Sequence, residues 1–286
     1  DMMNTEYFKR VVNMIESIVG SNGTVHYQEV QKNNGRTKHG ISILYDNQKN
    51  SNVVPVLYMD EYVTGDVHTD AVKIITTYCS VLKTNAGVKY NGIEKVILDY
   101  EKASQLVYPK IVSYEKNIGT LNKCVHKDFL DLAIIYTVRL NDFSVTVTKE
   151  ILEKWDISED RLHTVAMKNL LKDKYIIESI ADKIYKMSGY RLDTPFDMLY
   201  VSNSSYINGA AECLNDDAME EALDTLGTDK MIVIPSSIHE VIVVPYDENI
   251  NDINAIVEEV NRTVVSAEDV LSGHIYYYDK KHGMFM

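Results

Sequence analysis

One short segment, IPSSIHEV at residues 234–241, contains the side-chain types that hydrolytic enzymes use. Ser237 could act as a nucleophile, His239 as its base and Glu240 as the acid that orients the histidine. Side chains alternate between the two faces of a strand, however, so His239 and Glu240 would point in opposite directions if both are strand residues. The chain also lacks the G-x-S-x-G motif that exposes a strained serine. These three residues are the catalytic candidates, but strand geometry argues against a Ser–His enzyme.

The sequence contains no motif for the common cofactors. Neither G-x-x-x-x-G-K nor G-x-G-x-x-G occurs, which disfavours nucleotide enzymes of the common types. The eight histidines form no H-x-x-x-H or H-E-x-x-H pair, and the three cysteines form no C-x-x-C pair. Buried free thiols are the expected state of Cys79, Cys124 and Cys213. We therefore predict no cofactor and no metal site.

Charge is distributed unevenly along the chain. Residues 1–196 contain 25 acidic and 25 basic side chains, whereas residues 197–286 contain 17 acidic and 4 basic ones. The whole formal charge of −13 therefore lies in the last third. Nucleic-acid binding requires clustered Lys and Arg, so direct binding of DNA or RNA by this third is not expected. An acidic surface of this kind either keeps a protein soluble or docks a basic partner.

The composition is that of an ordinary folded protein. Hydrophobic residues make up 45% of the 286 residues and charged residues 25%, which excludes the disordered, fibrous and disulfide-scaffold classes. The sequence has no run of 18 apolar residues, and its N-terminus lacks the apolar stretch of a signal peptide. We therefore expect a soluble, cytoplasmic protein without membrane contact. A chain of this length is typical of two or three domains.

The first predicted unit, residues 1–107, contains a helix, a β-hairpin with a third strand, and two further helices. Apolar residues at helical spacing end at Gly20 and predict the first helix over residues 5–19. The hairpin is indicated by two alternating segments around a polar turn. The remaining elements are predicted at residues 25–31 and 39–46 for the hairpin, 53–59 for the third strand, and 69–83 and 92–106 for the helices.

The second predicted unit, residues 108–196, begins where Tyr108 precedes Pro109, because a residue before proline is pushed out of the helical region. Thr148 and Ser158 are predicted to cap two helices. The element order approximates that of the last third, so the two units are predicted to be related. Strands are predicted at residues 110–114, 129–140 and 143–147, with a short helix after the first and a tight turn at 141–142.

The third predicted unit, residues 197–286, has the clearest pattern. Its element order is β-α-β-β-α-β, that of the ferredoxin-like arrangement, so the predicted fold class is α+β. Strands one and two run in the same direction because a helix connects them, and strand three returns as the second arm of a hairpin. Strands are predicted at residues 198–203, 231–235, 241–245 and 274–279, and helices at residues 206–226 and 253–260.

This topology brings three connections to one end of the last sheet: the loop after strand one, the turn between strands two and three, and the loop entering strand four. Free backbone N–H groups at the start of the first helix suit an anion or a polar oxygen. Ser, Asn and Gly are also the usual residues of turns and caps, so local hydrogen bonding is the alternative explanation. The candidate ligand-binding residues of this serine-rich end are Ser202, Asn203, Ser204, Asn208, Ser236, Ser237, His239 and His274.

Five strings carry a family resemblance: VLYMDEY (56–62), DFLDLAIIYTVRL (128–140), VTKEILEKWDISEDRLHTVAMKNL (147–170), NGAAECL (208–214) and IPSSIHEVIVVP (234–245). Through them the chain resembles an uncharacterised bacterial family, domain of unknown function 5688. The IPSSIHEV string is the most specific, followed by the W-x-I-x-E-x-x-L-H pattern at 155–163. The resemblance spans nearly the whole chain. It implies an intracellular bacterial protein, but no activity and no functional residues.

The leading functional hypothesis is a non-enzymatic interaction module whose last unit docks a basic protein partner through one helix face. The residues of this acidic face are Asp216, Asp217, Glu220, Glu221 and Asp224. The alternative hypothesis is a small-ligand or hydrolase-type enzyme site at the serine-rich end. A lined pocket there would favour the alternative, whereas serines used for turn hydrogen bonds would favour the module.

Overall fold

The computed structural model describes residues 2–45, 54–84, 93–140, 144–189, 197–246 and 265–286. Contacts divide the chain into two compact units, unit 1 (residues 1–32 and 36–95) and unit 2 (residues 33–35 and 96–286). Every strand pairing within the described residues is antiparallel, and helices contribute to the cores beside the sheets. The protein therefore has the predicted α+β fold class.

Unit 1 packs two long helices with a three-stranded sheet of order β1-β2-β3. Its elements are α1 (Met2–Val19), β1 (Gly23–Gln31), β2 (Thr37–Tyr45), β3 (Leu57–Tyr58) and α2 (Val67–Thr84). Helix α1 ends where Gly20 has a left-handed φ of 54°, which confirms the predicted helix and its glycine terminus. Phe8 and Ile15 of α1 lie in one buried cluster with Ile43 and Ile74.

The predicted helix over residues 92–106 is wrong in its extent. Two short helices, α3 (Ile93–Leu98) and α4 (Tyr100–Ala103), are separated at Asp99, whose backbone is extended. Aspartate is disfavoured in helix interiors and favoured at N-cap positions, because its side chain can form hydrogen bonds with nearby backbone groups in place of the helical ones. Here Asp99 is the N-cap residue of α4, but its side chain forms no capping hydrogen bond and instead lies 2.7 Å from Lys102 Nζ.

Unit 2 begins with a four-stranded sheet. Its strands are β4 (Val107–Ser113), β5 (His126–Phe129), β6 (Leu132–Arg139) and β7 (Ser144–Thr146), and the short helix α5 (Ile118–Leu121) precedes β5. Pro109 lies inside β4, which begins at Val107 rather than at the predicted residue 110. The proline is tolerated because β4 is an edge strand that pairs with β6 alone among the described strands. The predicted strand over 129–140 is two strands, since Leu130 turns the chain with a φ of 57°.

Two helices cover one face of this sheet, and both predicted N-caps are confirmed. Helix α6 (Lys149–Trp155) follows Thr148, whose hydroxyl accepts from the Ile151 N–H at 3.2 Å. Helix α7 (Glu159–Leu170) follows Ser158, whose hydroxyl accepts from the Arg161 N–H at 3.1 Å. The buried side chains that join these helices to the sheet are Tyr136, Val138, Leu152, Trp155, Leu162 and Ala166.

A six-stranded sheet completes unit 2, in the order β13-β12-β10-β11-β9-β8. Its strands are β8 (Tyr175–Ser179), β9 (Leu199–Asn203), β10 (Lys230–Ser237), β11 (Glu240–Pro245), β12 (Tyr276–Asp279) and β13 (Gly283–Phe285), and its helices are α8 (Ile180–Ser188) and α9 (Asp216–Leu226). Because β11 lies between β9 and β10 and is antiparallel to both, β9 and β10 run in the same direction, as predicted.

The ferredoxin-like arrangement is not confirmed. In that arrangement the last strand lies beside the first, whereas β12 pairs with β10 here. The edge of β9 is occupied by β8, which precedes the predicted unit boundary at residue 197. The predicted helix over 206–226 is interrupted at Asn215, between the 3-10 helix Gly209–Leu214 and α9. The predicted helix over 253–260 lies outside the described residues.

The two sheets of unit 2 share a three-strand arrangement. In both, the third strand lies between the first two, as β4-β6-β5 and as β9-β11-β10. The two sheets differ beyond these three strands, because β8 follows the first sheet in the chain but pairs with β9 in the six-stranded sheet. Ile111 and Leu132 also pack in the same core as Leu199 and Val201, so residues 108–196 and 197–286 share a core. The division into three units stays a prediction.

No helix within the described ranges is both long and apolar enough to cross a membrane.

Candidate functional site at the serine-rich end

The three connections predicted to share one end of the last sheet meet there. After β9, the Ser202 hydroxyl donates to the His239 carbonyl at 2.7 Å. The Ala210 N–H donates to the Ile238 carbonyl at 3.2 Å, and the Ile238 N–H donates to the Asp269 carbonyl at 2.8 Å. Because Asp269 belongs to the segment that leads to β12, all three connections are hydrogen-bonded together at the β10–β11 turn.

The turn itself differs from the prediction. Strand β10 continues through Ser237, so the predicted Ser–Ser turn is wrong, and Ile238 and His239 form the turn instead. Strand three therefore starts at Glu240 rather than at His239. The register shifts between Ile234 and Ser237, and this bulge accommodates a proline that cannot donate to the ladder.

The imidazole of His239 uses both ring nitrogens to bridge two segments. Its Nδ1 accepts from the Asn208 N–H at 3.2 Å, and its Nε2 lies 3.3 Å from Asp269 Oδ1. A ring nitrogen that accepts carries no proton, so the proton sits on Nε2 and faces the Asp269 carboxylate. In this arrangement neither ring nitrogen is available to act as a general base.

The serine hydroxyls bond to the backbone of His239 rather than to its ring. Ser237 Oγ accepts from the His239 N–H at 3.0 Å and is buried. The acid beside the ring is Asp269, whereas Glu240 lies near the Tyr200 hydroxyl at 3.4 Å. Burial is the largest cause, and the charge of Glu240 the next, of a rise in the pKa of Tyr200 to about 12. No Ser–His–acid triad is formed by the described side chains, which do not include that of Ser236.

The loop after β9 is organised by the side-chain amide of Asn203. Its Oδ1 accepts from the Ser205 N–H at 3.2 Å and the Ile207 N–H at 3.3 Å, and its Nδ2 donates to the Ile207 carbonyl at 2.9 Å. Tyr206 and Asn208 have left-handed φ angles of 56° and 55°. Because non-glycine residues rarely adopt this conformation, the buried Asn203 amide holds a strained loop in place.

Two N–H groups at the start of the helix after β9, where the sequence predicts an anion, are bonded within the protein. The Asn208 N–H is held by the His239 ring, and the Ala210 N–H by a backbone carbonyl. The helix that begins here is a 3-10 helix of six residues. Ser204 is exposed, and its N–H donates to the Lys174 carbonyl at 2.9 Å. Local hydrogen bonding therefore accounts for the N–H groups of Asn208, Ala210 and Ser204.

His274 belongs to a separate contact. Its Nε2 lies 2.8 Å from Asp131 Oδ2, and the Tyr276 hydroxyl donates to Asp131 Oδ1 at 2.6 Å. Burial first, and then the bond to Asp131, raise the pKa of Tyr276. The structure thus brings His274 together with Asp131 and Tyr276, and not with the ring of His239.

Two residues that position the serine-rich end were not predicted from the sequence. Asp269 orients His239, and Asn34 Nδ2 donates to the Val270 carbonyl at 2.7 Å. Asn117 fixes Asn34 in turn, because its Oδ1 accepts from the Asn34 N–H at 2.8 Å. The sequence identifies Asn34 only as a turn residue, and no local pattern marks Asp269, since both act on partners remote in the chain.

The acidic face lies on α9. Its exposed members are Asp216, Asp217, Glu221 and Asp224, and Glu220 is half-buried. Lys280, in the turn between β12 and β13, lies 3.1 Å from Asp224 Oδ1 and 3.5 Å from Glu220 Oε2. The hydrogen bond to Asp224 raises the pKa of Lys280. The Tyr175 hydroxyl donates to Glu221 at 2.6 Å.

The cysteines are free thiols. Cys124 and Cys213 are buried as predicted, whereas Cys79 is half-buried. Burial raises the pKa of both buried thiols, which keeps them protonated and unreactive near neutral pH. Among the described residues, no group of three His, Cys, Asp or Glu side chains is placed to hold a metal ion.

A groove of about 640 Å³ in unit 1 was not predicted from the sequence. It lies where α1 passes the start of α2, and its lining includes Tyr7, Arg10, Gly65 and His68. None of the candidate residues identified from the sequence lines it.

Replacing His239 by alanine is expected to destabilise the protein by about 1–2 kcal/mol, because the Asn208 N–H and the Asp269 carboxylate each lose a partner. Urea unfolding of the wild type and the variant measures this change. The control is His26→Ala, which removes an exposed imidazole from β1. A His239→Ala variant as stable as this control would contradict the bridging role.

The fold and the site define an α+β protein whose serine-rich end is held by internal hydrogen bonds. The chain matches the model of a family of unknown function (DUF5688) over residues 4–280. It therefore belongs to this family, as its sequence strings indicate. No curated protein and no solved structure matches the chain.

Proposed function

We propose that this protein is a non-enzymatic interaction module whose acidic face docks a basic surface of a partner protein. The observation that carries the proposal is the pairing of Lys280 with Glu220 and Asp224. An ammonium group already lies between two carboxylates one helical turn apart, so the spacing of this face suits lysine and arginine side chains.

The charge of the last third supports the same assignment. Lys280 pairs with two of the five carboxylates of the acidic face, Glu220 and Asp224. Its one positive charge against five negative ones leaves the face with four negative charges. A field of this sign attracts basic proteins and accelerates their association, and salt weakens it. Exposed ion pairs are individually weak, so a partner's cation can displace Lys280.

The hydrogen bonds of the serine-rich end favour a module over an enzyme. A hydrolase-type or small-ligand site would require His239 to release Asn208 or Asp269 first. The proposed partner is a protein rather than a nucleic acid, since phosphates are repelled by the same charge. The proposed setting is the bacterial cytoplasm, where free thiols such as Cys79 stay reduced.

Neutralising the acidic face is expected to abolish partner binding. The variant Asp217→Asn/Glu221→Gln/Asp224→Asn removes three charges from exposed side chains. Proteins cross-linked to the wild type at low salt are identified by mass spectrometry, and the association rate of the identified partner is measured at low and high salt. We expect salt to slow association with the wild type about tenfold or more, and the variant to associate slowly at both salt concentrations.

The matched control removes three charges from exposed residues of α6 and α7, in the variant Glu150→Gln/Glu153→Gln/Glu159→Gln. This variant is expected to bind like the wild type. Equal loss of binding in both variants would mean that net charge acts rather than the acidic face. Failure to find any partner that distinguishes the two variants would overturn the proposal.

A further inference from the structure

A buried carboxyl group precedes the acidic helix. Glu212 lies in the 3-10 helix Gly209–Leu214, which contacts β4, β9 and β11, and its exposed fraction is 0%. Asn215, with an exposed fraction of 1%, follows this helix and is the N-cap residue of α9. Its side chain does not cap α9 but turns to Glu212, where Nδ2 donates to Oε2 at 3.1 Å.

Each side chain of this pair has one further buried oxygen. Glu212 Oε1 and Asn215 Oδ1 both lack a hydrogen-bond partner among the described residues. A buried polar atom without a partner costs about 1–3 kcal/mol, and a buried charge costs more. Glu212 and Asn215 already share one hydrogen bond, so a proton placed between their two remaining oxygens would satisfy both of them.

We propose that Glu212 is protonated in the folded protein and forms a cyclic acid–amide pair with Asn215, so that the start of the acidic helix responds to pH. A single proton on Oε1, donated to Asn215 Oδ1, gives both oxygens a partner and completes a ring of two hydrogen bonds. The same proton removes the buried negative charge.

The surroundings of Glu212 favour the neutral acid. The charged or titratable groups around it are Asp173, Arg139, Tyr175 and Cys213. The cation among them is Arg139, whose Nη1 bonds to Asp173 at 2.8 Å and whose buried Nη2 has no hydrogen-bond partner among the described residues, Glu212 included. Burial is the largest influence on the pKa of Glu212 and raises it, and the charge of Asp173 raises it further. The hydrogen bond from Asn215 and the charge of Arg139 lower it, and the resulting pKa is about 7.

The direction of the pH effect follows from proton linkage. An unfolded glutamate releases its proton near its ordinary pKa of 4.5, whereas burial raises the pKa in the folded protein to about 7. Between these two values the folded state binds one more proton than the unfolded state, so raising the pH favours unfolding. The stability contributed by this group is complete below the unfolded pKa and is lost as the pH rises through the folded one.

The variant Glu212→Gln separates this effect from simple loss of packing. Glutamine has the same shape and can form both bonds of the ring with Asn215, so it mimics the protonated acid at every pH. Urea unfolding of the full chain is measured between about pH 5 and pH 8. Relative to the variant, the unfolding equilibrium constant of the wild type is expected to rise by up to about tenfold per pH unit in this window.

Two further measurements complete the test. The control Glu153→Gln removes an exposed carboxyl group, and its pH profile is expected to parallel that of the wild type. Infrared spectra of the wild type near neutral pH should contain the C=O band of a protonated carboxyl group, which disappears at higher pH. Parallel pH profiles for the wild type and Glu212→Gln would overturn the proposal. If that variant does not fold, absence of the infrared band from the wild type at about pH 6 overturns it.

Discussion

Replacing Gly209 by alanine is expected to destabilise unit 2 by about 3 kcal/mol or more. The added Cβ would overlap Ser202 Oγ and would lie 2.6 Å from the His239 carbonyl oxygen and 2.7 Å from the Asn203 nitrogen. Two of these atoms belong to the backbone of β9 and of the β10–β11 turn, so they cannot rotate away as a side chain could. The loop after β9 would have to leave the turn, and the bonds from Ser202 and Ala210 would break.

The matched control is Gly119→Ala. An added Cβ at Gly119 in α5 meets no atom within 4 Å, and alanine is a better helix former than glycine. Its stability is therefore expected to equal or slightly exceed that of the wild type. Urea unfolding followed by circular dichroism compares the two variants. Equal stability would mean that the loop and the turn are not in close contact.

Elements with local signals could be predicted from the sequence. Thr148 and Ser158 cap α6 and α7 as expected, because an N-cap depends on one hydroxyl and an N–H three residues later. Gly20 ends α1 for an equally local reason, its tolerance of a positive φ.

Strand positions are harder to predict, because a proline often lies at the end of a strand but can also lie inside an edge strand or at a bulge. Pro109 lies inside an edge strand, and Pro235 lies in β10, where the register shifts. The pairing of β8 with β9 has no local signal at all. A strand can satisfy its hydrogen bonds on any open edge, so sheet order depends on contacts that are distant in the sequence.

The meeting of the three connections at the serine-rich end could be predicted from the sequence, but the contacts of its side chains could not. Chain direction alone indicates that the connections around Ser202 and His239 share one end of the sheet. It does not indicate which atoms each polar group contacts. The acid beside His239 is Asp269, in the segment before β12, and His274 pairs with Asp131 from the turn between β5 and β6. Such pairs depend on side-chain positions fixed only after both sheets form.

Replacing Asp70 by asparagine is expected to destabilise unit 1 by about 3 kcal/mol. The Asp70 side chain is fully buried at the start of α2. Its two oxygens accept from the Thr64 N–H and hydroxyl, the Gly65 N–H and the Tyr7 hydroxyl. An asparagine NH₂ group would face these donors, leaving some of them unpaired. Tyr7 and Gly65 also line the groove of unit 1, so the variant should alter its wall.

The matched control is Asp66→Asn in the same loop. Asp66 is exposed, and its Oδ1 accepts from the Thr69 N–H at 2.7 Å. Asparagine caps helices about as well as aspartate, so this variant should change stability by less than about 0.5 kcal/mol. Urea unfolding at neutral pH compares the two variants. A similar small effect for both would mean that the Asp70 bonds contribute little.

The pH dependence of the wild type provides a second test of Asp70. Burial alone would raise the pKa of this carboxyl group, but the hydrogen bonds from Tyr7, Thr64 and Gly65 outweigh it and lower the pKa from 3.8 to about 2. The folded state therefore binds fewer protons than the unfolded state in this range, and the stability due to Asp70 is lost as the pH falls from 3.8 towards 2. The difference in stability between the wild type and Asp70→Asn should shrink over the same interval. A constant difference down to pH 2 would mean that the folded protein does not hold Asp70 as a hydrogen-bonded anion.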